Sequence, residues 1–237
     1  MGQSMRTAII VSIIAVGISL SAAPVLAGPG TMDDLIVVDH QPTRVGGGAA
    51  DSLFRDNFGD PYSNRVADDF ALVESTDIAA LRWWGFYNLD NPPMAESFQI
   101  RFLEARSGDG LPDDSNVVYE AIVANPSRVV TGEHVFVGVD PAEYLYEVVL
   151  SSPVSLAANR TYWLEVQQIG DLETAFRWEF SQSDANGQAF MNAATGDWRH
   201  STLSSDTAYQ LIATPEPTSL CMLAVPLAAI VFEKRRR

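Results

Sequence analysis

The sequence has almost no cysteine and, between its two ends, no lysine. Cys221 is the only cysteine among 237 residues, so neither an intrachain disulfide nor a cysteine metal site can form. Residues 28–214 carry ten arginines against 28 acidic side chains, a net charge of about −18. Because a protein that binds nucleic acid needs a basic surface, this balance argues against nucleic acid as a partner. Stability must come from packing.

Motifs for catalysis are also scarce. The three histidines are His40, His134 and His200, and no two have the spacing of a metal-binding pair such as HExxH. Asp197, His200 and Ser201 are close in sequence, but nothing there signals a strained nucleophile turn or an oxyanion hole. Paired carboxylates could hydrolyse a glycoside, although spacing in sequence does not fix their separation. We therefore expect a protein that is not an enzyme.

The N-terminus has the three parts of a secretory signal peptide. Arg6 precedes an apolar run over residues 7–20, and small residues lead to Ala27. The run is short for a membrane span, so we expect signal peptidase to remove residues 1–27. The alternative is an uncleaved anchor helix.

The C-terminus combines a short motif, an uncharged segment and a basic end. The motif is Pro215, Glu216 and Pro217, and the basic end is Lys234, Arg235, Arg236 and Arg237. Residues 219–232 would span about 21 Å as a helix, against a hydrocarbon core of roughly 30 Å. Long basic side chains can reach the interface and so help a short helix to span. The positive-inside rule places the basic end in the cytoplasm and the preceding domain outside.

This ending resembles the PEP-CTERM sorting signal of Gram-negative bacteria over residues 215–237. The resemblance implies that an exosortase recognises the Pro-Glu-Pro motif and removes the tail, after transient insertion in the inner membrane. The destination it implies is the cell surface or the extracellular matrix. Pro226 within the helix and Glu233 before the basic end depart from the pattern. A simple tail anchor is the alternative.

Residues 28–214 form short alternating runs separated by turn residues, which is typical of an all-β domain. The predicted strands cover residues 35–38, 65–73, 77–87, 97–103, 117–123, 133–139, 143–150, 161–169, 174–181 and 207–213. About ten strands favour an antiparallel two-sheet β-sandwich, jelly-roll-like, with a signal helix before it and a short transmembrane helix after it. Trp178 is expected in its core.

Three segments of this domain, ADDF at 67–70, LRWWGFY at 81–87 and TYWLEV at 161–166, support a second resemblance. They resemble an uncharacterised β-sandwich region of bacterial surface proteins, over residues 66–212. The resemblance implies a fold and no activity, since such folds carry unrelated functions.

An acidic turn at residues 108–116 (GDGLPDDSN) offers oxygen ligands of the kind that calcium prefers. The candidate ligands are Asp109, Asp113, Asp114 and Asn116. The spacing departs from the EF-hand loop, and residues 56–60 and 68–69 are further candidates. The alternative is a solvated acidic turn between strands.

One tryptophan breaks the apolar pattern of its strand. Tyr162 and Val166 belong to the apolar register, so Trp163 shares a face with Glu165 and Gln167. We expect Trp163 to stack on a sugar ring while Glu165 and Gln167 bind its hydroxyls. Trp163 could instead lie under a loop.

Other tryptophans give less information. Trp198, in a predicted loop, is a further ligand candidate. Trp83 and Trp84 point to opposite faces of one strand, and the sequence does not show which of them is buried.

Together these features predict an exported protein of the cell surface or extracellular matrix. Its central domain is expected to be a noncatalytic module that binds exopolysaccharide or another glycan, with calcium as the one cofactor considered. A structural matrix protein without a small ligand and a glycoside hydrolase are the alternatives.

Overall fold

The computed structural model describes residues 35–43, 49–51, 53–54, 65–87, 92–136, 139–169, 176–181, 188–192, 196–201 and 206–214. All of them belong to one unit, residues 32–237. The predicted signal peptide, the sorting tail with its transmembrane segment 219–232, and the acidic stretch 56–60 lie outside the described residues. No helix in the described ranges is long and apolar enough to cross a membrane.

Two antiparallel sheets packed as a β-sandwich confirm the predicted fold class. Sheet I contains β1 (Ile36–His40), β2 (Ala49–Asp51), β5 (Thr76–Tyr87), β8 (Ser127–Phe136), β9 (Val139–Leu156), β11 (Phe176–Ser181), β14 (Asp206–Thr207) and β15 (Tyr209–Ala213). Sheet II contains β3 (Leu53–Phe54), β4 (Arg65–Ala71), β6 (Ser97–Ala105), β7 (Pro112–Ala124), β10 (Thr161–Ile169), β12 (Gln188–Asn192) and β13 (Asp197–His200). The one parallel pair among these strands joins β3 to β10.

An aromatic core lies between the sheets. Trp83 of sheet I stacks on Tyr146, with ring centroids 5.2 Å apart, and meets Phe98 of sheet II at 5.4 Å. Trp178 is fully buried there, as its strand pattern predicts. Trp84, which follows Trp83 on the opposite face, is buried as well, so the pair does not divide into one buried and one exposed ring.

Strand β9 is longer than predicted because it continues through two prolines. Pro153 lies where the ladder with β5 slips, since Ile78 faces Val154 while Ala80 faces Val149. A proline cannot donate to a ladder and is tolerated at such a bulge. The predicted strand 133–139 was wrongly placed, since β8 begins at Ser127 and β9 begins at Val139. Strands β12 and β13 were not predicted at all.

The order of strands in sheet II places two distant segments at its edges. The order is β13-β12-β4-β10-β6-β7, so β10 is central and β7 and β13 are outermost. One face of this sheet closes the core. Its other face, which we call the outer face, carries Trp163, Glu165 and Gln167 of β10.

Candidate functional site

The central strand of sheet II confirms the predicted division of faces. Leu164 and Val166 lie in the core between the sheets, whereas Trp163 belongs to a separate apolar cluster on the outer face. The expected exposure of that outer face is wrong, however. Trp163 is 2% exposed, and Glu165 and Gln167 are fully buried. These three side chains therefore share a face but do not form an open platform.

Trp163 is covered by the turn between β6 and β7. Its indole Nε1 donates to the carbonyl oxygen of Gly110 at 2.9 Å. Leu111 packs in the same outer cluster, together with Met191 and Trp198. The alternative considered from sequence, a tryptophan lying under a loop, is the arrangement observed.

Two arginines on the neighbouring strands enclose Glu165. Arg65 of β4 donates from Nε to Oε1 at 2.7 Å and from Nη2 to Oε2 at 2.9 Å. Arg101 of β6 donates from Nε to Oε2 at 2.8 Å and from Nη2 at 2.5 Å. Glu165 pairs directly with Arg101 of β6 and with Ala67 of β4. Arg65 is two residues before Ala67 and so lies on the same face of β4. The ladder register therefore brings both arginines to Glu165.

A second carboxylate, that of Asp114 on β7, completes this network. Its Oδ1 accepts from Arg65 Nη2 at 2.6 Å and from Arg101 Nη2 at 2.9 Å. Its Oδ2 accepts from the indole Nε1 of Trp198 at 2.8 Å. Since Trp198 lies on β13 and Asp114 on β7, this bond joins the two edge strands across the outer face.

The charges of the network balance, but burial disfavours the ionised form of Glu165. Two guanidinium groups face two carboxylates, and the Arg65 guanidinium also lies 4.8 Å from the centroid of the Trp198 ring. Burial raises the pKa of Glu165 to about 7, although Arg101 opposes that rise. Removing either arginine would leave the carboxylates of Glu165 and Asp114 facing a single guanidinium group, and this uncompensated negative charge at a buried site would destabilise the fold.

The predicted calcium ligands do not converge. Asp109 accepts from Arg106 Nη2 at 2.9 Å, whereas Asp113 accepts from the backbone and hydroxyl of Ser115 at 3.0 and 2.6 Å. Asn116 also donates to Asp113, and these hydrogen bonds lower the pKa of that exposed carboxyl. Asp114 points to the arginines instead. Within the described ranges no three His, Cys, Asp or Glu side chains are placed to hold a metal.

The further pair of candidates, Asp68 and Asp69, is split between the two faces of β4. Asp68 lies in the core, where its Oδ2 accepts from Thr207 N at 2.6 Å and from Thr207 Oγ1 at 2.9 Å. His40 Nδ1 is 3.8 Å from the same oxygen. Burial raises the pKa of Asp68 from 3.8 to about 7, against the lowering effect of His40.

A third polar cluster holds the turn from β7 to β8. Glu96 accepts from Tyr87, from Tyr146 at 2.9 Å and from Arg128 at 2.6 Å. Burial and the nearby Glu96 raise the pKa values of both tyrosines, so their hydroxyls stay protonated. The backbone of Asn125, whose φ is 49°, donates to Glu96 O at 2.7 Å. This cluster fixes the crossing between the sheets.

The remaining sequence candidates lie elsewhere. Asp197 and His200 are three positions apart on β13, so their side chains leave opposite faces of the strand. A cavity of about 410 Å³ at the end of sheet I is lined by Glu74, Asp77 and Thr214 among others, and by no predicted site residue.

The comparison with known families finds a match over most of the chain. A family model described as a domain of unknown function, DUF7901, matches residues 41–226. The match covers every strand from β2 to β15. Among curated proteins, none matches the sequence.

Proposed function

The chain belongs to the DUF7901 family, and we propose that it is an exported surface or matrix protein whose sandwich domain binds glycan without catalysis. The ligand surface is the outer face of sheet II. We also propose that the sandwich is jelly-roll-like, and that a signal helix precedes it and a short transmembrane helix follows it.

The observation that carries the proposal is the polar and aromatic content of that face. Two tryptophans, two arginines and two carboxylates lie together on the outer face, outside the core between the sheets. Buried ion pairs add little stability over apolar packing, because desolvation of the charges offsets their attraction. Ligand sites, in contrast, combine aromatic surface with a few fixed polar groups. The outer face has that composition.

Export is supported by the two ends of the sequence. A signal peptide over residues 1–27 and a sorting tail over 215–237 would deliver the domain 28–214 to the cell surface or matrix. Signal peptidase and an exosortase are the processing partners, and the inner membrane is a transient location. At either destination the domain would meet extracellular polysaccharide, which we propose as its ligand.

Retention on glycans tests the binding function. The purified protein is applied to a glycan array and to immobilised exopolysaccharide, together with two single variants. Trp198→Phe removes one indole N–H of the outer face and should weaken retention, while Val149→Thr, on the exposed side of sheet I, should not. No retention of the native protein above bare resin would reject the proposal, and release of reducing sugar would favour a hydrolase instead.

A structural role has its own supporting observation. Ile122 on β7 and Val129 and Val130 on β8 are 66%, 59% and 57% exposed, on strands that end their sheets. Exposed edge strands with apolar side chains are templates for pairing with another chain. If the protein assembles in this way, sedimentation will show oligomers that an Ile122→Lys, Val129→Lys double variant dissolves.

A further inference from the structure

Asp114 is the exposed member of the charged network on the outer face. Its side chain is 37% exposed, whereas the side chains of its partners Arg65 and Arg101 are 16% and 10% exposed. We propose that the three donors holding Asp114 form a binding site for the carboxylate of an acidic sugar, which Asp114 occupies when no ligand is present. This inference rests on the proposed glycan binding and names its ligand class.

The donors match a carboxylate in number and geometry. Three side chains supply them: Arg65 Nη2 and Arg101 Nη2 reach one oxygen of Asp114, and Trp198 Nε1 reaches the other, as does Arg65 Nη1 at 3.4 Å. Guanidinium groups in such a pair are the preferred protein partners of a planar carboxylate. A carboxylate on a uronic acid would meet the same three side chains.

The charge count favours an anion over a neutral sugar. Without Asp114, the two arginines keep ion pairs to Glu165, while the neighbouring Glu120 is bonded to Gln99, so one guanidinium charge at the partly buried site loses its paired carboxylate. An incoming carboxylate restores the balance that Asp114 provides. A neutral hydroxyl would leave that charge uncompensated, and an unpaired charge in a buried site is costly.

The backbone around Asp114 allows it to leave. Leu103 pairs with Val117 and Ala105 pairs with Pro112, so two steps along β6 face five along β7. Residues 113–116 therefore form a bulge outside the regular ladder. The turn before it contains Gly108 and Gly110, with φ of 114° and 74°.

Movement of this segment would also uncover Trp163. Gly110 accepts the Trp163 indole hydrogen bond, and Leu111 packs beside the ring. The ring face of Trp163 and the three donor side chains would then become accessible to a ligand together, beside Glu165. A sugar ring and its carboxylate could occupy the space that the turn and Asp114 hold in the unliganded protein.

The test removes the occupant and compares charged with neutral ligand. The full chain carrying Asp114→Ala is titrated with a galacturonate oligomer and with a galactose oligomer of equal length. If Asp114 fills the site in at least nine chains of ten, its removal should raise the apparent affinity for the uronate about tenfold or more. The neutral oligomer should gain nothing. Asp113→Ala, which removes an adjacent carboxylate bonded to Ser115 and Asn116, is the matched control and should bind as the native chain does.

Equal uronate affinities in native, Asp114→Ala and Asp113→Ala chains would overturn the inference. The native chain gives a second measurement should Asp114→Ala not fold: uronate should shift the Trp198 indole NMR signal saturably, and an unmoved signal overturns the inference too. Retention of neutral glycans alone would leave the proposed function standing while this inference fails. Absence of all glycan binding, with Asp114→Ala included, would remove both.

Discussion

Replacing Asp68 by Asn should remove one component of the dependence of stability on pH, separate from that of Glu165. Asp68 is fully buried, and burial raises its pKa from 3.8 to about 7. The native state therefore binds this proton more tightly than the unfolded state does. A carboxyl of that kind makes the free energy of unfolding fall as pH rises from its unfolded pKa through its folded pKa.

The magnitude follows from the size of the shift. About three units at 1.36 kcal/mol each correspond to about 4 kcal/mol of destabilisation when Asp68 is fully ionised. Between about pH 5 and pH 8 the change is roughly 3 kcal/mol, because part of the effect is already present at the lower pH. Asn carries no charge and keeps an oxygen that can accept from Thr207. Between about pH 5 and pH 8, the free energy of unfolding of the variant should therefore rise by roughly 3 kcal/mol relative to that of the native protein.

Urea unfolding, followed by tryptophan fluorescence at several pH values, measures the difference. Asp113→Asn is a suitable control, since the pKa of exposed Asp113 is lowered and its contribution is lost towards acid pH instead. Native and Asp68→Asn proteins whose stabilities run parallel between about pH 5 and pH 8 would refute the reasoning.

Four further outcomes are expected. Trp163→Ala should lower the free energy of unfolding by about 3 to 5 kcal/mol, and a nearly native melting temperature would contradict the observed burial. Gly85→Ala should destabilise by about 1 to 3 kcal/mol in chemical unfolding, since the added Cβ would lie 2.3 Å from Phe176; an unchanged midpoint would contradict this packing. In an exosortase-positive host, the intact mass should show loss of residues 1–27 and of the tail, and Glu216→Ala should stay in the inner membrane; a native product still carrying Arg237 would refute tail removal. The calcium hypothesis for the acidic turn requires ligands that lie apart in the structure to converge; if they do, calcium should stabilise the protein by about 2.7 kcal/mol at a hundredfold excess over the dissociation constant and so raise the melting temperature relative to chelator, whereas equal melting temperatures would exclude the hypothesis.

Alternation along single strands predicted a good part of the fold. Phe98, Ile100 and Phe102 lie in the core, as a period of two requires. The same rule placed Trp163, Glu165 and Gln167 on one face. Turn residues were also informative, because Asn125 and Pro126 separate β7 from β8. These properties are local, so a single sequence contains them.

Two prolines show that local sequence signals do not determine where a strand ends. Pro141 and Pro153 lie on either side of the predicted strand 143–150, yet β9 runs past both of them. Each lies where the ladder register slips, and only the partner strands decide whether a slip is absorbed or ends pairing.

The candidate site was determined by tertiary structure. In the predicted strand 97–103, alternation places Arg101 on the face away from the core, but a strand pattern cannot show what covers that face. Glu165 and Asp114 lie 51 positions apart in the sequence, and β7 and β13 are distant segments as well. Strand order in sheet II brings them around the same two guanidinium groups. The sequence by itself determined which residues share a strand face; the order and register of the strands decided which charges meet and which tryptophan is covered, because those contacts join residues with no local relationship.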